Sequence, residues 1–341
     1  MNKPAIIKAI ICSIIMIMSI CSCDTDNSVL QEDATCIETP APSGHTDIVL
    51  YPFRENESMK WGYMDKEGTV IITPQYDIAE NFIKNLAVVC IRDDGDDTYS
   101  GNWGIIDKNN NIIIPLIYDN ITMSEESILA LTKEPPRRSH GGEIWRYKNE
   151  QGKTIFELVD YAHAAPFCEG LARVQEYANF GLIGCIDNTG EYVIPPQYIN
   201  MSSFSEGLAL VSSVAGINSK YGFIDTENNS IIPEIYESAD VFSEEVAPVQ
   251  VDGKWGYINR NNELVIPFKY ENASIFSEGV ASVEENGLWG IINHDGEYIL
   301  SPQYPFLSDC YNGLIMVGRR DEYIDSPYYI NLRGEIIRPN L

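Results

Sequence analysis

Basic residues are scarce in this chain. Its 341 residues include 23 Lys and Arg against 50 Asp and Glu, a formal net charge of −27. A chain so charged repels nucleic acid and anionic surfaces instead of seeking them. Histidine is scarcer still: His45, His140, His163 and His294 stand far apart and form no HExxH pair. There is no GxSxG elbow, no GxxxxGK(S/T) loop and no GxGxxG following a strand. No pair of carboxylates stands out from the uniformly acidic background. The sequence therefore predicts a protein that is not an enzyme, with no cofactor and no metal. The acidic run Asp93-Asp94-Gly95-Asp96-Asp97 lacks the spacing and closing glutamate of a calcium loop, and it reads as a solvated hairpin loop.

No CxxC pair occurs among the eight cysteines, so neither a metal site nor a disulfide framework is legible. Nor is any apolar run long enough to span a bilayer, which takes roughly 20 residues. The one candidate, Ala9 to Ile20, follows Lys3 and Lys8 and has the plan of a secretory signal. It ends in Ile20-Cys21-Ser22-Cys23, which resembles the lipobox of bacterial lipoproteins. That resemblance implies removal of residues 1–22, acylation of Cys23 and attachment to a membrane on its extracytoplasmic side. Polar sequence follows, including Thr39-Pro40-Ala41-Pro42-Ser43-Gly44, so residues 23–46 read as a tether. Of the remaining cysteines, Cys36, Cys90, Cys168, Cys185 and Cys310, four fall on predicted strands. A free cysteine there is a small buried hydrophobe.

Internal repetition governs residues 47–341. Lys60-Trp61-Gly62-Tyr63-Met64-Asp65 recurs as Asn102-Trp103-Gly104-Ile105-Ile106-Asp107, Lys254-Trp255-Gly256-Tyr257-Ile258-Asn259 and Leu288-Trp289-Gly290-Ile291-Ile292-Asn293. Weaker copies begin at Ile183 and Tyr221, and Trp145 and Tyr328 mark copies without the glycine, for eight modules in all. Each anchor is followed by a segment such as Val193-Ile194-Pro195-Pro196-Gln197-Tyr198. Next come a Phe-Ser-Glu-Gly stretch (Phe204 to Gly207, Phe276 to Gly279) and an Ala-x-Val stretch. The pattern resembles the tryptophan–glycine, or WG-repeat, family over nearly the whole mature chain.

Each module reads as three short strands: Ala-x-Val, Trp-Gly-x-Ile-Asp, and a Val-Ile-Pro strand that proline ends. Asp252-Gly253 and Asn286-Gly287 supply hairpin turns between the first two. The fold is all-β, a tandem array of about eight three-stranded antiparallel modules. The strands are apolar on both faces, which requires neighbouring modules to cover them, and the glycine after tryptophan marks where the adjacent sheet approaches closely. A propeller-like ring and an open curved stack both satisfy the pattern. No strand exchange is available to staple a ring shut.

Repeated aromatics are packing positions first, so the anchor tryptophans and strand-closing tyrosines are assigned to the core. What varies is the turn before the Trp-Gly strand. It carries Asp93, Asp94, Asp96, Asp97 and Tyr99 in module two. In module three it holds Arg137, Arg138 and His140, a basic spot in an acidic chain. Tyr177 stands in module four, and Arg319, Arg320 and Tyr323 in module eight. Insertions on one face of a repeat array often mark binding. The expectation is a lipid-anchored envelope scaffold that binds a protein or envelope polymer through these loops. The alternative is a module binding cell-wall carbohydrate. No nucleic-acid partner is expected.

Overall fold

A computed structural model describes residues 48–55, 58–92, 101–133, 143–159, 161–177, 181–216, 219–318 and 328–338. These form eight small antiparallel sheets and no helix, arranged as the blades of an eight-bladed propeller. The blades comprise residues 51–76, 78–118, 120–159, 161–198, 200–236, 238–270, 272–304 and 307–337. Every sheet is built from consecutive strands, and the ring closes where the last blade packs on the first. There Tyr51, Phe53 and Met64 share a buried cluster with Leu314 and Tyr329. Tyr329 donates to the Pro52 carbonyl at 2.8 Å, and Tyr51 donates to that of Asn312 at 2.7 Å.

Seven blades have a fourth strand that the three-strand reading omits. It is the inner strand, as short as Ile78–Ala79, Ser238–Ala239 or Asn272–Ala273. Two residues show no alternation, so the stretch reads as a connector in sequence. Its partners are in the blade it opens: Ile78 pairs with Cys90 and Ala79 with Val89. Blade 1 has three strands, and Tyr311 of blade 8 reaches past it to donate to the Phe82 carbonyl of blade 2 at 2.7 Å.

The outer strand also differs from expectation. Proline does not end it: Val70–Tyr76 and Ile112–Tyr118 run on through Pro74 and Pro115. Trp103 pairs with Tyr118 and Ile105 with Ile114, so the outer strand bulges by two residues between them. Proline is tolerated because this is the edge strand, whose outward N–H has no ladder to join. The bulge explains the glycine. A Cβ on Gly62 would lie 2.4 Å from the Ile72 carbonyl and 2.7 Å from the Pro74 nitrogen. The close approach thus comes from the next strand of the same sheet, not from the adjacent sheet. Solvent also reaches alternate outer-strand residues and parts of the inner strands, such as Asn120 and His163, so both-face burial is confined largely to the second and Trp-Gly strands.

The core lies between blades. The side chain two places after the anchor is fully buried: Tyr63, Ile105, Tyr147, Phe223, Tyr257 and Ile291. Tyr63, Tyr147 and Tyr257 each donate to a backbone carbonyl of the following blade, those of Glu80, Ala165 and Ser274. The tryptophans are less uniform than expected. Trp145 and Trp289 are buried, whereas Trp61, Trp103 and Trp255 pack against the core with one edge in solvent. In blade 8, Tyr329 pairs with Met316 as Ile291 pairs with Ser282. Tyr328 therefore occupies the glycine place and not the anchor, one residue off the sequence reading.

Candidate functional site

The meander gives the ring two unlike faces. On one face lie the connections from inner to second strand, the Phe-Ser-Glu-Gly stretches, together with the turns that follow the Trp-Gly strand. The sequence dictates both. In every blade the Asp or Asn ending the Trp-Gly strand folds its side chain onto the next turn. Asp65 Oδ1 accepts from the N–H groups of Glu67 and Thr69 at 3.0 and 2.8 Å, and Asn331 does the same for Arg333 and Glu335. These are Asx turns.

The Phe-Ser-Glu-Gly stretches staple each blade to the next. Ser205, Ser243 and Ser277 donate to the carbonyls of Phe242, Phe276 and Cys310 at 2.7, 2.7 and 2.8 Å. Glutamates of these stretches accept from amides of the following blade: Glu169, after Cys168, from Gly207, Glu244 from Gly279, Glu278 from Gly313. The repetition of Ser-Glu-Gly was the sequence signal for this ring of contacts, although the sequence reading gave those residues no role. Blade 2 departs from it. Lys84 stands in place of the glutamate, donates to the Glu125 carbonyl at 2.7 Å and pairs with Glu150 at 3.2 Å. A cavity of about 250 Å³ opens here between blades 2 and 3, lined by Lys84, Met123, Glu126, Ser127 and Glu150 among others.

The other face carries the variable connections from the second to the Trp-Gly strand. Where they are minimal, an acid from the strand connection below caps them: Glu237 accepts from Gly253 N–H, and Glu271 from Gly287 N–H, each at 2.9 Å. At the root of the first long loop, Asp77 accepts from Lys60 at 2.7 Å and from Arg92 N–H at 2.9 Å. Burial would raise the Asp77 carboxyl, but these two bonds outweigh it and hold its pKa below the usual range. Loops of different length thus spring from fixed roots.

Tyr177 lies on this face at the end of the Ala172–Glu176 strand and is 51% exposed. Beside it Glu176 accepts from the Tyr192 hydroxyl at 2.8 Å. The other candidates, Cys23, Asp93, Asp94, Asp96, Asp97, Tyr99, Arg137, Arg138, His140, Arg319, Arg320 and Tyr323, lie outside the described residues. So do His45 and Cys36. His163 is exposed on an inner strand, and His294 pairs with Glu244 at 2.8 Å and stacks on Phe276. Among the described residues no three of His, Cys, Asp and Glu are placed to hold a metal ion. Cys90, Cys185 and Cys310 are buried and Cys168 is half-buried, none of the four in a disulfide. Burial pushes Cys185 and Cys310 up to about 12, so neither is a thiolate nucleophile at neutral pH.

The model of the WG containing repeat matches residues 61–93, 103–134, 145–178, 183–213, 221–255, 255–289 and 289–323. The chain belongs to the WG-repeat family. The matches stop before the Tyr328–Asn331 strand, where the glycine place holds a tyrosine. Among curated proteins, none matches. Solved structures similar to this WG-repeat ring share little sequence with it. A crystal structure of the eukaryotic initiation factor is 10% identical with a TM-score of 0.52, covering 85% of this chain and 94% of that one. The propeller domain of the Trilobed protease from Pyrococcus furiosus, described as having an open velcro topology, is also 10% identical. Its TM-score is 0.50, with 78% of this chain and 100% of that one covered. At this identity the likeness concerns the fold alone.

Proposed function

We propose that this WG-repeat propeller is a non-catalytic scaffold that presents the loops of one face to a protein or a polymer of the cell envelope. The observation carrying this reading is the contrast between the two faces. On one, repeated side chains are consumed in blade-to-blade staples. On the other, loop length varies from the two-residue Asp252-Gly253 turn to long connections, on roots that stay fixed. A rigid frame with variable loops is how binding surfaces are commonly built. Lipid on Cys23, after loss of residues 1–22, holds the ring at the membrane through the tether of residues 23–46.

The test replaces residues 134–141, which include Arg137, Arg138 and His140, with an Asp-Gly turn. Capture of the partner found by pull-down should fall at least tenfold while the melting temperature holds; unchanged capture removes that loop from the reading. Cys23→Ser should release the protein from the membrane fraction. Exposed Tyr177 favours a second reading, a cell-wall carbohydrate-binding module. Binding to purified peptidoglycan that survives high salt and is lost in Tyr177→Ala would select it, because stacking is not screened whereas charge is.

A further inference from the structure

The face of the staples carries a second device, which blades 2 and 3 invert. Between blades 6 and 7 three side chains meet. Glu244 pairs with His294 at 2.8 Å, and the imidazole stacks on the Phe276 ring with centroids 4.0 Å apart. Between blades 5 and 6, Glu206 pairs with Arg260 at 3.2 Å, whose guanidinium lies over the Phe242 ring at 5.9 Å. In both places a flat nitrogen-bearing group rests on a ring and is held by a carboxylate of the preceding blade.

The turns give the equivalent residues of blades 2 and 3. Ile83 bridges Leu86 as Ser243 bridges Val246, so Lys84 stands for Glu244. Asn149 N–H donates to the Lys153 carbonyl as Asn293 N–H does to that of Glu297, so Glu150 stands for His294. Ser124 N–H donates to the Ser127 carbonyl as Ser277 N–H does to that of Val280, so Met123 stands for Phe276. The ion pair survives with its signs exchanged, Lys84 to Glu150 at 3.2 Å. The ring and the flat group on it do not, and the cavity of about 250 Å³ opens between Met123 and Glu150. An apolar cavity of about 150 Å³ already holds benzene, so there is room for a planar group with a substituent. The lining charges are Glu125, Glu126 and Glu150 against Lys84. Lys148, paired in the strand with Ile128 of the wall, does not line the cavity. Its ammonium is spent on the Gly152 carbonyl, the Thr154 hydroxyl and the Tyr118 ring.

We propose that this cavity binds a planar, delocalised cation, a guanidinium or amidinium, lying on Met123 with its N–H groups on the Glu150 carboxylate. The chain itself shows what the place takes, since Arg260 puts a guanidinium there in blade 6 and His294 an imidazole in blade 7. A planar cation forms two parallel bonds with a carboxylate, and the polarizable methionine adapts to a flat partner. Glu150 is 61% exposed at its side chain, so a ligand reaches it without opening the ring. The cavity lies on the face opposite the variable loops, and it stands or falls independently of the scaffold reading.

The probe is benzamidine, titrated by calorimetry into the full-length protein, with benzoate as the same shape carrying the opposite charge. Benzamidine should bind at least tenfold more tightly than benzoate. Met123→Phe restores the ring of blades 6 and 7 without changing the charge, and it should weaken benzamidine at least tenfold while the melting temperature holds or rises. Glu150→Gln, at an exposed turn, should weaken it to a similar extent. Lys84→Gln frees the Glu150 carboxylate and should strengthen it at least twofold. No binding, binding that Met123→Phe leaves within twofold, or a loss in Lys84→Gln equal to that in Glu150→Gln overturns the proposal. The second of these results would assign the attraction to the acidic surface at large. Agmatine and a blocked arginine amide then separate the sources. Tighter agmatine names a free guanidinium compound, tighter blocked arginine names an arginine side chain of a partner protein, and failure of both overturns the proposal.

Discussion

At the scale of single residues, the glycine of the Trp-Gly pair is a steric requirement. A Cβ at Gly256 would meet the Ile266 carbonyl at 2.6 Å, and backbone on both sides has little room to give. Gly256→Ala should cost more than about 2 kcal/mol, an overpacking effect, measured by denaturant unfolding; a cost near zero would mean that the outer strand shifts freely. A second position shows what one missing atom does. Tyr76, Tyr198 and Tyr236 donate across the blade interface to the side chains of Asn110, Asn228 and Asn262. The equivalent partner of Tyr270 is Gly296, and the buried Tyr270 hydroxyl has no hydrogen-bond partner. The three asparagines hold φ of +65°, +68° and +62°, and Gly296 holds +75°, so asparagine fits the same backbone. Gly296→Asn should stabilise the ring by about 1 kcal/mol, provided Ile266, 3.1 Å from the new Cβ, can yield. The gain should vanish in a Tyr270→Phe background, and a gain that survives there would trace to the turn instead.

The elements were unequally legible. The Trp-Gly strand could be read because its pattern is long and repeated eight times, and the Asx turn after it follows from one Asp or Asn. The inner strand could not, since Ile78–Ala79 is too short to alternate and its membership depends on pairing with Cys90 and Val89. The outer strand was cut at proline because a bulge between Trp103 and Ile105 leaves no local signature. Of the candidate binding residues only Tyr177 falls where the structure can place it, and its exposure was legible from being out of register with the repeat. The staples between blades are polar elements with separable parts. Ser277 donates to the Cys310 carbonyl at 2.8 Å, and Glu278 accepts from Gly313 N–H at 2.7 Å on the exposed rim. Ser277→Ala should cost about 1 kcal/mol whatever the salt concentration. Glu278→Ala should cost a similar amount at low salt and less at about 1 M, where exposed charge is screened within a few ångströms. Equal salt dependence of the two costs would show that the carboxylate acts by shape and not by charge.

At the scale of the whole molecule, the inner strands converge on the axis and bring acids from separate blades together. Asp309 of blade 8 is hydrogen-bonded by Ser274 of blade 7 and feels Asp240 of blade 6. Solvent reaches it, yet burial raises its pKa above the usual aspartate value, with Asp240 adding to the rise and Ser274 opposing it. An acid with a raised folded pKa binds its proton more tightly when folded, so it lends stability at low pH that is lost as pH rises to neutrality. Asp309→Asn should therefore melt above the wild type at pH 7, and the difference should shrink toward pH 3. A constant difference would place its origin in packing.

Closure of the ring is the remaining whole-molecule property, and it rests on side chains because no strand among the described residues crosses the seam. Tyr329 and Tyr257 hold the same place in their blades, each buried, each donating to a carbonyl of the next blade at 2.8 Å. At Tyr257 the acceptor is Ser274, on an inner strand. At Tyr329 it is Pro52, on a strand equivalent to the second strand of other blades, in a blade with no inner strand among the described residues. Removing either hydroxyl leaves a buried carbonyl short of a partner, and both Tyr→Phe variants should lose about 1–3 kcal/mol. They should differ in where the ring opens. Blade 1 is held on its seam side by the Tyr51, Tyr311 and Tyr329 cluster and has three strands among the described residues. Hydrogen exchange in Tyr329→Phe should accelerate first in the Tyr51–Arg54 and Leu314–Val317 strands, as a local opening. In Tyr257→Phe those strands should keep their wild-type protection relative to the global stability. If both variants exchange in the same order, the seam is no weaker than any other interface, and the ring behaves as one cooperative unit despite its unstapled closure.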